Sequence, residues 1–291
     1  DGRITSISTV SITASTTVSL YVRPETHGAV GNGSTDDATA FQTAINTCTS
    51  GCVILLSSSK NYRINTMLTV LDNMIFMSDG GNATITSGIS GVAHTFYVNN
   101  KDNVHFRDIN FTLNGSPSNT NVAGHILFNR SKYSSVRNCT FTKSHWFDVQ
   151  VKGEAAENSE NIIIDGNKSL QLAAEGGSGN SPCSITVWGY ARNITITNNQ
   201  SLGVGAMGIA IQNFGGTGTI NYVYVAGNTI RSKDTYGIMA YDANADRSVV
   251  DIQIVNNHVE DINGVNGVTG NAGAGIYLAS CFDCLVQGNY V

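Results

Sequence analysis

Charge is scarce in this sequence. Asp, Glu, Lys and Arg make up 13% of its 291 residues, against about 25% in an ordinary soluble domain. Sixteen basic and 21 acidic side chains leave a formal net charge of −5. With no basic surplus to neutralise phosphates, nucleic acid is excluded as a partner. Proline occurs three times, and the six cysteines are too few and too scattered for a small disulfide scaffold. No apolar run approaches the roughly 18 residues of a membrane-spanning helix, so no membrane span is expected. A hydrophobic share of 41% nevertheless excludes disorder, because it supplies apolar surface to offset chain entropy. The chain begins at Asp1 without Met or a signal peptide, which reads as a processed or trimmed start.

In place of charge stand Asn, Gly, Ser and Thr, residues of turns and small polar faces. They are organised in a repeat. Glu160-Asn-Ile-Ile-Ile-Asp-Gly-Asn167 recurs as Arg192–Asn199, Asn221–Asn228, Val250–Asn257 and Phe282–Asn289. Each ends in Asn preceded by Gly or Asn, with apolar residues five and three positions earlier: Ile162/Ile164, Ile194/Ile196, Val223/Val225, Ile252/Ile254 and Cys284/Val286. The Asn positions lie 32, 29, 29 and 32 residues apart. Asn103–Ile109 and Ser134–Cys139 continue the register more weakly. Period-two alternation predicts a half-buried strand in each unit. A second strand precedes it by half a repeat, as in His125–Phe128, Trp146–Val149, Ser184–Val187, Gly208–Ile211, Gly237–Ala240 and Gly275–Leu278.

Two short strands per roughly 30 residues fit solenoid coils that stack on their neighbours. Leucine-rich and helical repeats lack support here, and a propeller blade needs four strands per roughly 40 residues. The expectation is an all-β parallel β-helix. Stacking would put the Asn side chains of successive coils about 4.8 Å apart, close enough to hydrogen-bond along a structural ladder. Near the start, Ser34-Thr-Asp-Asp37 precedes a stretch in which Phe41, Ala44, Ile45 and Cys48 share one helical face. This predicts a short capping α-helix with a Ser or Thr N-cap and acids in its first turn, covering the open end of the solenoid.

His27-Gly-Ala-Val-Gly-Asn-Gly-Ser-Thr-Asp-Asp37, Ala40-Phe-Gln-Thr-Ala-Ile45, Val53-Ile-Leu-Leu56 and Tyr62-Arg-Ile64 together resemble the N-terminal signature of the pectate-lyase-like superfamily. That group holds secreted polysaccharide lyases and glycosidases and bacteriophage tailspike depolymerases. The resemblance implies a right-handed parallel β-helix from residue 25 to 291 after a lead-in arm at 1–24. It also implies a polysaccharide substrate, an extracellular or virion-surface location and, as in tailspikes, a homotrimer. His27 replaces the usual aromatic and Asn32 the usual Asp. The polygalacturonase signatures and the Asp-Pro-His of alginate epimerases are absent, so the resemblance does not fix the reaction.

Function in a solenoid must sit on the side chains that alternate with the buried ones. The outward row from the second strands reads Leu127/Asn129, Asp148/Gln150, Thr186/Trp188, Ala210/Gln212, Met239/Tyr241 and Tyr277/Ala279. Aromatic faces suit pyranose rings, amides suit hydroxyls, and acids suit reaction. One candidate cluster gathers His145, Asp148, Gln150, Lys152 and Glu154 with Glu175, Trp188 and Tyr190. Asp148 and Glu175 could serve as the two carboxylates of a glycosidase. Alternatively, Lys152 would stabilise a uronate carboxylate while His145 or Tyr190 abstracts a proton in β-elimination. A second cluster, Tyr241-Asp-Ala-Asn-Ala-Asp-Arg247 with Gln212 and Tyr277, offers Asp242 and Asp246, although Asp242 could equally cap a turn. The function expected is polysaccharide cleavage by lyase or glycoside hydrolase chemistry; the alternative is a non-catalytic glycan-binding or structural spike.

Cys48 and Cys52 are spaced for a short disulfide pinning the cap, while Cys281 and Cys284 read as buried thiols rather than a zinc site. No metal or other cofactor is expected, calcium at clustered acids being the one alternative. Val291 falls inside a repeat, so the expectation is further sequence or a partner chain beyond it.

Overall fold

The computed structural model describes residues 21–49, 51–89, 93–114, 124–155, 157–171, 183–203, 205–213, 218–243, 247–262 and 273–291. Among these, three parallel sheets of eleven, nine and eight strands run the length of the molecule. Each strand pairs with the equivalent strand one coil before and one coil after, which is the parallel β-helix the repeat predicts.

The first sheet carries the recurring units. Ser159–Asp165, Ala191–Thr197, Ile220–Ala226 and Val249–Val255 pair residue for residue, so that Ile164, Ile196, Val225 and Ile254 form one inward column. All four are fully buried. Val286 continues the column as the register partner of Ile254, and is 42% exposed because no described strand stacks on the last coil. Toward the cap the same column continues as Phe106 and Phe76, whose rings stack at 5.0 Å.

The Asn ladder forms as expected. Each Asn Nδ2 donates to the next Asn Oδ1, from Asn167 to Asn199 at 3.0 Å, Asn199 to Asn228 at 3.0 Å, Asn228 to Asn257 at 2.9 Å and Asn257 to Asn289 at 2.9 Å. The same amides donate to main-chain carbonyls, Asn199 Nδ2 to Ile164 O at 2.9 Å for example. The preceding residue is Gly or Asn for a conformational reason. Gly166, Asn198, Gly227, Asn256 and Gly288 all have φ between 53° and 66°, the left-handed region that Gly and Asn enter most readily.

Two strands per coil were expected; there are three. The second sheet follows four of the ladder Asn with the strands Lys168–Gln171, Gln200–Gly203, Thr229–Lys233 and His258–Ile262, and includes Thr140–Phe141 in the coil before them, after Cys139. These strands are short and largely polar, so they carry no alternation for the sequence to reveal.

The cap also differs in detail. The helix spans Ala38–Asn46 with Asp37 at the N-cap, no side-chain capping bond and no acid in the first turn. Asp37 instead turns its carboxylate back onto the preceding loop, accepting from Val30 N at 2.7 Å and Gly31 N at 3.2 Å. Asp36 accepts from Ala38 N at 3.1 Å. The acids of the signature thus fold the loop that seats the helix. Phe41, Ala44, Ile45 and Cys48 pack into the core as predicted, and Cys48–Cys52 is a disulfide. Cys281 and Cys284 are bonded to each other rather than free thiols, and the free cysteines are Cys139 and Cys183, both buried. Tyr21–Val22, within the expected lead-in arm, pairs with Val53–Ile54 at the start of the first sheet.

Candidate functional site

The third sheet, from Leu68–Thr69 through Phe96–Asn99, Gly124–Asn129, Phe147–Lys152, Cys183–Trp188, Met207–Asn213 and Tyr236–Asp242 to Ala274–Ala279, presents the outer face on which function was expected. Its inward positions, such as Val149, Val151, Ile185 and Val187, belong to the core. The alternate positions line up coil upon coil. One column runs Tyr97, Leu127, Gln150, Thr186, Ala210, Met239 and Tyr277; its neighbour runs Asn129, Lys152, Trp188, Gln212, Tyr241 and Ala279. At about 4.8 Å per coil the eight strands extend roughly 34 Å.

This row matches the sequence-based row at every coil but one. There the pair facing Thr186/Trp188 is Gln150/Lys152, not Asp148/Gln150. Successive members of the first column lie 23, 36, 24, 29 and 38 residues apart from Leu127 to Tyr277. Connections entering the third sheet vary in length, so a uniform period misplaces the strand by two residues. Asp148, near the start of its strand, shares the parity of Gln150 and Lys152 yet is 1% exposed and lines a small internal cavity with Val149, Asn167 and Ser184, so alternation breaks at this strand end. It accepts a hydrogen bond from Ser144. Its charge also acts on the buried Lys233, whose ammonium burial pushes down to about 8 while Asp148 works the other way. The structure thus gives Asp148 an interior electrostatic role and removes it from the outer face.

Asp242 is 2% exposed and accepts the Ser248 main-chain N–H at 3.0 Å, the turn-capping alternative. Glu175 and Asp246 lie outside the described residues. His145 contacts the Ile89 carbonyl at 3.4 Å and does not line the groove described below. Tyr190 is at the corner after the third sheet, its main-chain oxygen accepting from Ser159 N at 3.0 Å. The structure brings together the remaining candidates. Gln150, Lys152 and Trp188 share one groove, and Gln212, Tyr241 and Tyr277 continue the face beyond it.

The groove has a volume of about 510 Å³ and is lined by Met67, Ala93, His94, Tyr97, Leu127, Phe147, Gln150, Lys152 and Trp188. Beyond Trp188, Tyr236 and Tyr277 stack at 4.7 Å on an apolar bed with Ala210 and Met239. Asn129 holds one wall by donating to Asn99 Oδ1 at 3.0 Å, Glu154 Oε1 at 3.0 Å and the Tyr97 hydroxyl at 3.3 Å. Among the described lining residues Lys152 is the one ionised side chain, and none is a carboxylate.

His94 and Tyr97 were not found from sequence. His94 is buried, and its Nε2 has no hydrogen-bond partner among the described residues. Burial pushes its imidazole down to about 4, with nearby His125 acting in the same direction and a hydrogen bond with Gln150 opposing. It is therefore neutral at neutral pH, a proton acceptor beside an ammonium. Tyr97 pairs with Leu127, 30 residues on, so carrying the repeat back one coil would have revealed it. Among the described residues, no cluster of three or more His, Cys, Asp or Glu could hold a metal ion, and no helix is long and apolar enough to cross a membrane.

No protein-family profile matches this chain, and comparison with curated proteins gives no match. Solved structures share its fold. The surface adhesin PfbA of Streptococcus pneumoniae superposes with a TM-score of 0.68 at 17% identity, over 85% of this chain and 64% of the adhesin. The mannuronan C-5 epimerase AlgE6 A-module of Azotobacter vinelandii gives 0.62 at 13% identity, over 92% of this chain and 75% of that one. The endo-xylogalacturonan hydrolase of Aspergillus tubingensis gives 0.60 at 15%, over 93% and 74%. The chain spans less than two thirds of the adhesin's length. The fold is a right-handed parallel β-helix, as in these solved structures.

Proposed function

We propose that this protein binds a polysaccharide along the outer face of its third sheet and cleaves it by β-elimination at a uronate residue. The observation that carries the reading is the groove lining: an indole, a phenol, an amide, a neutral imidazole and a single ammonium, with no carboxylate among the described lining residues. Glycosidase chemistry needs two carboxylates flanking the bond. Elimination needs a base and a cation to stabilise the charge that develops on the uronate carboxylate.

In this assignment Lys152 faces the uronate carboxylate. Neutral His94 takes the proton from the carbon beside that carboxylate. The C–H electron pair becomes a ring double bond, and the C–O bond to the next sugar breaks. Tyr97, whose hydroxyl accepts from Asn129 and so keeps its own proton available, protonates the leaving oxygen. The chemistry is assigned to side chains alone, with no cofactor. The setting is extracellular or the virion surface, and the assembly a homotrimer; sedimentation as a monomer at micromolar concentration contradicts the trimer.

The test is incubation with mannuronan and with xylogalacturonan, following both ultraviolet absorbance of the unsaturated product end and new reducing ends. Elimination yields both signals, and hydrolysis yields reducing ends alone. Binding without either signal supports the second reading, a non-catalytic glycan-binding spike. That reading is favoured by the burial of Asp148 and Asp242, the two described acids expected to be catalytic.

A further inference from the structure

The groove does not stop at the first strand of the third sheet. Met67, which forms its end wall, is also part of a second trough of about 310 Å³ that runs beside the cap helix. This trough is lined by Thr39, Gln42, Thr43, Asn46 and Leu68 among others, and none of its described lining side chains is charged.

The helix is fixed in place at that edge. Gln42 donates its Nε2 to Thr69 O and accepts from Thr69 N through Oε1, both at 3.0 Å. One side-chain amide thereby satisfies both polar groups of a strand residue at the sheet edge, as a further strand would. Gln42 also donates to Asn46 Oδ1 at 3.0 Å. Thr39, Thr43 and Asn46 are left exposed on the helix surface, with hydroxyl and amide groups at one-turn spacing. A rigid helix thus extends the sheet face, and the thioether of Met67 bridges the two troughs.

We infer that the trough beside the cap helix is a distal sugar subsite, recognising hydroxyl groups of the same polysaccharide chain without using charge. This rests on the groove reading given above. The sheet groove, with Lys152, binds an anionic sugar by a contact that salt screens. The helix trough adds contacts that salt does not screen, and only a chain long enough to cross Met67 reaches them.

Oligosaccharides of mannuronan and of xylogalacturonan, graded by length, would be titrated calorimetrically at low and high salt. The unaltered protein should show about a tenfold affinity gain between fragments too short to pass Met67 and those that pass it, and the gain should survive high salt. The double variant Thr39→Ala, Thr43→Ala, which raises helix propensity, should lose the gain and leave short fragments unaffected. Thr43→Gln, which fills the trough, should do the same. Binding that requires Trp188 yet shows no length-dependent gain, or a gain that both variants retain, overturns the subsite alone. Failure of the unaltered protein to bind any fragment, or binding indifferent to Trp188→Ala, overturns the groove reading and the subsite with it.

Discussion

Lys152 and Trp188 are register partners on adjacent strands of the third sheet, so an ammonium-bearing chain and an indole stand about 4.8 Å apart at the backbone on the same outward column. An anionic sugar held by the first presents its ring to the second.

Trp188→Ala should therefore cost the groove its largest apolar wall. Truncation of a buried aromatic anchor at an interface commonly costs 2 kcal/mol or more, about thirtyfold in affinity. Lys152→Met should abolish the salt dependence of binding and the elimination activity, while Lys152→Arg retains binding. Calorimetric titration at two salt concentrations checks both, with circular dichroism to show that the fold is kept.

Acid should weaken the fold and the activity together. Burial pushes the imidazoles of His94 and His125 down to about 4, below the value near 6.5 of an unfolded chain. Between these limits the unfolded chain binds more protons, so stability rises with pH there. It falls as pH drops from about 6.5 toward 4 and levels off below, with up to about 3 kcal/mol at stake for each imidazole. Urea unfolding across this range checks the slope, which His125→Gln should reduce. Elimination should keep its base through neutral pH and lose it as pH falls through about 4.

The Asn ladder predicts a large stability effect from a small change. Asn199 donates through Nδ2 to Ile164 O and Asn228 Oδ1, and its Oδ1 accepts from Asn167 N and Nδ2. Asn199→Ala leaves several buried groups unsatisfied and should cost about 2–4 kcal/mol. A drop in the thermal unfolding midpoint with no change in glycan affinity is expected.

Thiol chemistry separates the two kinds of cysteine. Burial pushes the Cys139 and Cys183 thiols up to about 12, and the thiolate is the reactive form. A thiol reagent should find no reactive group in the native protein and two after denaturation without reductant, since Cys48–Cys52 and Cys281–Cys284 are bonded.

The sequence revealed the coil stack because Ile162 and Ile164 recur with a nearly constant period at the same ladder Asn. It missed the second sheet because strands such as Thr140–Phe141 are too short to show alternation. It assigned Gln150, Trp188, Gln212, Tyr241 and Tyr277 to the functional face by alternation alone, which holds for these residues but not at the start of the strand that carries Asp148. It matched Asp148/Gln150 instead of Gln150/Lys152 to Thr186/Trp188 because the spacing is uneven, 36 residues separating Gln150 from Thr186 and only 23 separating Leu127 from Gln150. It placed Asp148 outside because alternation breaks at the start of that strand. His94 was invisible for a different reason: its importance lies in burial beside Gln150 and Lys152, a tertiary relationship with no local pattern.

The most direct test is a crystal structure of the protein with a bound uronate oligosaccharide. Sugar density should run along the third sheet from Tyr97 past Lys152 to Trp188, with a carboxylate on the Lys152 ammonium. Density on the first or second sheet, with this groove holding only water, would contradict the account.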